Sequence, residues 1–232
     1  VTLMDLDDNV ALSVTDALMI ADGNTVLVTG IITGGYYGER VIQDSTGAAL
    51  WVDSNIYGEI GDEIVVLGTL ATYDSYGNNA RQLDSATKIS TESTGNALVV
   101  EAETDVANIF AEFHLNKRYT ATFTITNMDD YGNVLFNTTD VDYGDDGIKQ
   151  EQGFKFSKSI FAPWFDEFYV VGDTVEITFT SLTYSYNNVQ MVNVILPALT
   201  DTQAMTAVQA GLEVDAQTTV DLELPTEMYG VA

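Results

Sequence analysis

One stretch of this chain is written twice. Ile60-Gly61-Asp62-Glu63-Ile64-Val65-Val66-Leu67 runs on to Tyr73, and Val171-Gly172-Asp173-Thr174-Val175-Glu176-Ile177 runs on to Tyr184, so that each tyrosine follows its glycine by twelve positions. Paired asparagines, Asn78-Asn79 and Asn187-Asn188, mark a turn after each copy, before a further strand-like run. A strand–turn–strand unit repeated at an offset of 111 positions (172 minus 61) points to a duplicated all-β architecture.

The elements around each copy come in one order. Ser13 to Ala21 reads as a short helix, with Ser13 or Leu12 before its first turn and Asp22-Gly23-Asn24 stopping it. Strands are expected at Thr25 to Thr33, with a bulge at Gly30, then at Arg40 to Asp44, Ala48 to Asp53, Asp62 to Tyr73 and Asn79 to Ser90. In the second copy a helix over Thr104 to His114 sets Val106, Ile109, Phe110 and Phe113 on one face. Strands follow at Lys117 to Asn127, Asn133 to Asn137, Asp173 to Tyr184 and Asn187 to Leu196, with an acidic insertion at Thr138 to Gln152 and a helix at Ser159 to Tyr169. Helix, three strands, a connection and two more strands, with a bent first strand, is the order of a five-stranded Greek-key barrel, the OB-fold. The fold expected is therefore all-β with short helices, two such barrels in tandem. The first unit takes residues 1–93 and the second 94–199, joined by a Ser-, Thr- and Gly-rich linker at Ser90 to Asn96.

Composition sets limits on what these barrels do. The chain has 35 acidic residues against 8 Lys plus Arg, a formal charge of −27. The resulting field opposes polyanions and argues against a protein that coats DNA. With no cysteine there is neither a disulfide nor a thiolate metal site. No apolar run is long enough for a membrane-spanning helix. The opening on Val1 suggests a piece processed or excised from a longer protein.

Three segments carry a resemblance. Val28-Thr29-Gly30-Ile31-Ile32-Thr33-Gly34, Ile42-Gln43-Asp44-Ser45-Thr46-Gly47 and Ile60-Gly61-Asp62-Glu63-Ile64 are similar to OB-fold modules of bacterial exported proteins. Those modules are accessory domains of multidomain surface proteins and extracellular nucleases. The likeness is good over Ser13 to Ser90; in the second copy it rests on Val171-Gly172-Asp173 and the order of elements, because the Gln-Asp hairpin is absent. Val220-Asp221-Leu222-Glu223-Leu224-Pro225-Thr226 resembles the opening strand of a bacterial immunoglobulin-like repeat, which makes 200–232 the truncated start of a third domain. The resemblance implies an extracellular or cell-surface setting.

Catalytic signals are nearly absent. The one histidine, His114, cannot form a histidine metal set, and no nucleophile-elbow, phosphate-loop or zinc-protease motif occurs. The expectation is no enzyme and no required cofactor. Alternating carboxylates in a glycine-containing loop, Asp140, Asp142, Asp145 and Asp146, can gather oxygens around Ca2+, although Gly144 takes the place of a third regular ligand. Ligand binding is expected where OB-folds take it, on the face of the second and third strands and the loops beside it. Tyr36, Tyr37, Trp51, Tyr73 and Tyr76 belong there in the first copy, and Tyr131, Tyr184 and Tyr186 in the second. Such rings stack on bases or sugars; the competing reading is that they pack across hairpins. Because Arg40 and Arg81, or Lys155 and Lys158, are few against the acidic field, nucleic acid is disfavoured as a partner. The expected function is a non-catalytic extracellular module that spaces neighbouring domains of the same polypeptide or binds a neutral glycan or surface protein. The alternative is an accessory module that guides single-stranded nucleic acid for a secreted nuclease.

Overall fold

The computed structural model describes residues 10–74, 79–142, 149–183 and 188–198. The first unit opens with α1 (Val14–Leu18), capped by Ser13, whose hydroxyl accepts the Asp16 backbone N–H at 3.0 Å. Val14 and Ala17 turn inward. Five strands follow: β1 (Thr25–Gly34), β2 (Arg40–Gln43), β3 (Ala49–Asp53), β4 (Glu63–Tyr73) and β5 (Ala80–Ser93). They close in the order β1-β2-β3-β5-β4, with β3 and β5 parallel. This is the OB-fold order.

A single strand can serve both sides of a barrel only if it bends. Residues 25–31 of β1 pair with β4, and from Ile31 onward the strand pairs with β2. Gly30 stands at the handover. A Cβ there would lie 3.0 Å from the Ile42 Cβ and 3.2 Å from Val14 Cγ2, so glycine lets β2 and α1 close over the bend. The irregular pairing itself falls between Ile32 and Gly34, two residues later than the expected bulge.

The second unit repeats the plan. A two-residue β6 (Glu101–Ala102) leads to α2 (Val106–Ala111), capped by Asp105, which accepts the Ala107 N–H at 2.9 Å. Then come β7 (Arg118–Met128), β8 (Asn133–Asp142), β9 (Lys149–Ser157), α3 (Lys158–Phe161), α4 (Phe165–Phe168), β10 (Thr174–Thr183) and β11 (Val189–Ile195). The sheet order is β10-β11-β9-β8-β7, closed by pairing of β10 with β7, and β6 adds to β7 in parallel. The helix expected over 159–169 is broken in two. Proline disfavours helical backbone in the residue before it, and Ala162, ahead of Pro163, has left the helical region (φ −156, ψ 72). The acidic insertion is partly strand: residues 139–142 of β8 pair with 149–152 of β9.

Both barrels bury the residues of one strand face, but with different chemistry. The first core is aliphatic, including Val28, Ile32, Ile42, Leu50, Ile64, Val66, Leu70 and Leu83. The second is aromatic: Phe123 meets Phe154, Phe179 and Phe136 edge-on at 4.9, 5.5 and 6.0 Å between ring centroids. Strand register defines equivalent positions. Val41, Trp51 and Gln82 lie in one row across β2, β3 and β5, and Leu135, Lys155 and Gln190 form the matching row across β8, β9 and β11. Thr25 opposite Thr69 corresponds in the same way to Arg118 opposite Thr180.

Candidate functional site

The outer face of β2 and β3, where OB-folds take ligands, is covered in the first barrel by the second. Val41, Ala49 and Trp51 form a buried cluster with Leu182 of β10 and Val192 of β11, and Tyr36, Tyr73 and Phe161 pack around it. Trp51 meets Tyr73 edge-on at 5.4 Å. Beside this apolar patch, the Thr33 carbonyl at the end of β1 accepts the Thr180 hydroxyl at 2.9 Å, the Asn193 amide at 3.0 Å and Arg118 Nη1 at 3.5 Å. Arg118 is 3% exposed and also donates to Thr180 Oγ1 (3.1 Å) and the Asn193 carbonyl (3.3 Å). Burial without a carboxylate among these partners pushes the guanidinium down to about 10. Gly34 lets the barrels touch, since a Cβ there would lie 2.8 Å from Val192 Cγ2. At the far end of the face the Gln43 carboxamide donates to the Val99 carbonyl (3.2 Å) and accepts its N–H (2.6 Å), which ties down the inter-barrel chain.

Three expected ligand residues, Tyr36, Trp51 and Tyr73, are thus brought together, but against one another and the second barrel. The Trp51 N–H is buried with no hydrogen-bond partner; it lies toward Glu39 without reaching it. Burial, with Asp53 adding to it, raises the Glu39 carboxyl above its ordinary range, and the indole partly offsets this. Asp53 is raised too, by burial and by Asp84, its neighbour in register on β5.

Two expected residues are outward-facing. Tyr37 is 83% exposed and Tyr131 is 91% exposed. Each ends the loop between the first two strands of its barrel and is followed by a glycine in the left-handed region, Gly38 (φ +100) and Gly132 (φ +82). Asp129 holds the second loop, accepting the N–H groups of Tyr131 (3.0 Å) and Asn133 (2.8 Å). Tyr57, 77% exposed after β3, escaped the sequence reading because it has no counterpart in the repeat. Tyr76, Tyr184 and Tyr186 lie outside the described residues, as do Asp145 and Asp146; Asp140 and Asp142 fall on the outer part of β8, opposite Glu151 and Lys149. Among the described residues no group of three or more His, Cys, Asp or Glu is placed to hold a metal. Residues 200–232 also lie outside the described residues.

The cations are largely committed. Arg81 pairs with Asp22, Lys117 with Glu101 and Lys158 with Asp166. Arg40 donates to the Glu39 carbonyl at 2.8 Å. Lys155, half-buried at the position equivalent to Trp51, is pulled down by burial and partly restored by Asp129. Lys88 donates to the Tyr57 carbonyl at 2.9 Å and joins no ion pair among the described residues. No described helix is long and apolar enough to cross a membrane.

No family model and no curated protein matches this chain. Among solved structures it is similar to a multidomain protein with nucleic acid binding domains from Streptococcus pneumoniae TIGR4, at 15% identity and a TM-score of 0.22; the match covers 77% of this chain and 47% of that one. The chain thus spans about half the length of that structure. It is also similar to the Ifi202 HINa domain in complex with 20-bp dsDNA (10% identity, TM-score 0.29, 77% of this chain and 97% of that one). A third likeness is to a replication protein A heterotrimer bound to ssDNA (7% identity, TM-score 0.26, 88% of this chain and 72% of that one). All three are described by nucleic acid and none by a glycan or surface protein. The expectations of a spacer or glycan- or protein-binding module, and of nucleic acid as a disfavoured partner, are corrected on this finding.

Proposed function

We propose that this chain is a tandem OB-fold module that binds single-stranded nucleic acid chiefly by base stacking. The observation that carries the reading is the pair Tyr37 and Tyr131, exposed at equivalent loop tips of two barrels. Stacking on an aromatic ring contributes about 1–3 kcal/mol per base and tolerates any sequence. Phosphate contacts contribute little here, because the charge is −27 and most described cations are already engaged. A single strand, which can splay its bases, suits such a surface better than a duplex held by its phosphates. The acidic field therefore limits the mode of binding rather than the partner.

In this proposal the module is non-catalytic, sits in an exported protein and delivers a strand to a catalytic domain elsewhere in the polypeptide. The likeness of 28–64 to modules of extracellular nucleases, and of 220–226 to an immunoglobulin-like repeat, supports that setting. Fluorescence anisotropy of a labelled single-stranded oligonucleotide, at low and physiological salt and with Ca2+ present, tests it. The expected result is micromolar binding with shallow salt dependence, weakened about tenfold by Tyr37→Ala with Tyr131→Ala. Absence of binding at low salt refutes it.

A further inference from the structure

With the outer face of β2 and β3 covered, a strand reaching the first barrel has to engage it elsewhere. An open groove of about 400 Å³ lies between the loop after β3 and the rim of β5, lined among others by Asn55, Tyr57, Thr87, Lys88 and Ile89. That volume falls within the range of about 300–1,000 Å³ usual for small-molecule sites. Two large side chains stand open at its mouth, Tyr57 (77% exposed) and Ile89 (56% exposed). Lys88, in no ion pair among the described residues, contributes a charge and donates to the Tyr57 carbonyl at 2.9 Å. Beyond Asp84, β5 pairs with β4 but not with β3, so one main-chain edge over 85–93 has no partner strand among the described residues.

The groove also adjoins the exposed loop tip. The Ile56 N–H donates to the Gly38 carbonyl at 2.9 Å, and a Cβ at Gly38 would lie 2.6 Å from Asn55 Oδ1. The Tyr37 ring itself packs edge-on against Tyr36 at 4.2 Å, so it is the Gly38 backbone that adjoins the lining residue Asn55, and the groove brings together an exposed tyrosine, an amide and the Lys88 ammonium.

Resting on the nucleic-acid reading above, we propose that this groove is a nucleobase site of the first barrel, set apart from the face on which OB-folds usually bind. A base stacks on Tyr57; the Asn55 amide and the open edge of β5 hydrogen-bond its rim; and Lys88 meets the adjoining phosphate. An extended peptide adding to β5 would also use the open edge, but it has no need of an exposed ring and a cation beside it.

The test uses the whole chain and a fluorescein-labelled oligothymidine. Tyr57→Ala is expected to raise Kd about tenfold, a surface truncation that leaves the barrel core untouched. Lys88→Gln is expected to flatten the log–log salt slope by about 0.7, the value of one single-strand phosphate contact. A seam lock is the control: Gly34→Cys with Thr180→Cys, whose Cβ atoms would lie 3.1 Å apart and need only a few tenths of an ångström to reach disulfide spacing, combined with Val192→Ala to remove the methyl that a Cβ at Gly34 would meet, in a chain with no other cysteine. Oxidised and reduced forms of that variant should bind alike. Loss of binding on oxidation would overturn the assignment, because the seam face would then be the ligand face. Wild-type binding by Tyr57→Ala and Lys88→Gln would overturn it too, while leaving the proposed function standing. Amide shift changes along 85–93 caused by an extended peptide, with none caused by oligothymidine, would mark a strand-addition site instead and likewise overturn it. No binding by the wild type at low salt removes the parent reading itself.

Discussion

Gly34→Ala is the sharpest probe of how the two barrels meet. The added carbon would sit 2.8 Å from Val192 Cγ2 and 3.1 Å from Thr180 Cβ, where carbons rest at about 3.5–4.0 Å. The barrels would have to separate locally by about 0.7 Å or more. The neighbouring Thr33 carbonyl, which accepts at 2.9 and 3.0 Å from the other barrel, would lose good geometry in the process. Overpacking of this kind costs about 1–3 kcal/mol. Alanine recovers about 0.4–1 kcal/mol by restricting the unfolded chain, since Gly34 is not held in the left-handed region. The net expectation is a loss of about 0.5–2 kcal/mol in urea denaturation followed by tryptophan fluorescence. Val192→Ala removes the methyl that collides, so the double variant should be more stable than the sum of the two single losses by about 1 kcal/mol. A neutral Gly34→Ala, or strict additivity with Val192→Ala, would refute close packing at this point.

Other substitutions probe the same seam and its margins. Trp51→Ala should destabilise by about 3–5 kcal/mol, whereas Trp51→Phe should stay within about 1 kcal/mol of wild type, because it removes a buried N–H that has no partner; urea midpoints decide. Arg118→Met should be neutral or stabilising and Arg118→Ala destabilising in the same assay, since the guanidinium is buried among uncharged oxygens and its loss without replacement leaves a cavity. Glu39 is raised in the folded state, so its contribution is fully present below the ordinary glutamate range and is lost as pH rises through its folded value. Glu39→Gln should therefore stabilise at neutral pH, with the advantage vanishing in acid, as thermal melts across pH will show.

Strand order, the turn glycines and the duplication were legible because period-two burial and Gly-Asp turns leave local marks. Ser13 was legible as a cap for the same reason. The break at Pro163 was legible in principle: the residue before a proline resists helix, and a single helix over 159–169 runs straight through that position. The seam left a mark that is easy to overlook. Val41-Ile42 and Ala49-Leu50-Trp51-Val52 are unbroken apolar runs, not alternations, which is the pattern of strands covered on both faces. What covers them lies more than a hundred positions away at Leu182 and Val192, and no local rule supplies that partner. Tyr57 was invisible for another reason: its loop has no repeat mate, and exposure is a property of the fold alone.

A duplicated domain that docks the β2–β3 face of one copy onto β10 and β11 of the next makes a head-to-tail contact, which does not close on itself and can in principle go on adding units. Lys155 bears on where such a series stops. It occupies in the second copy the place that Trp51 holds in the first, so the matching position carries a lysine where the docked face carries an indole. At that position the docking pattern of the first barrel is not repeated. Lys155→Trp should promote concentration-dependent association in sedimentation velocity; a variant that stays monomeric at every concentration would mean that something other than this lysine ends the series.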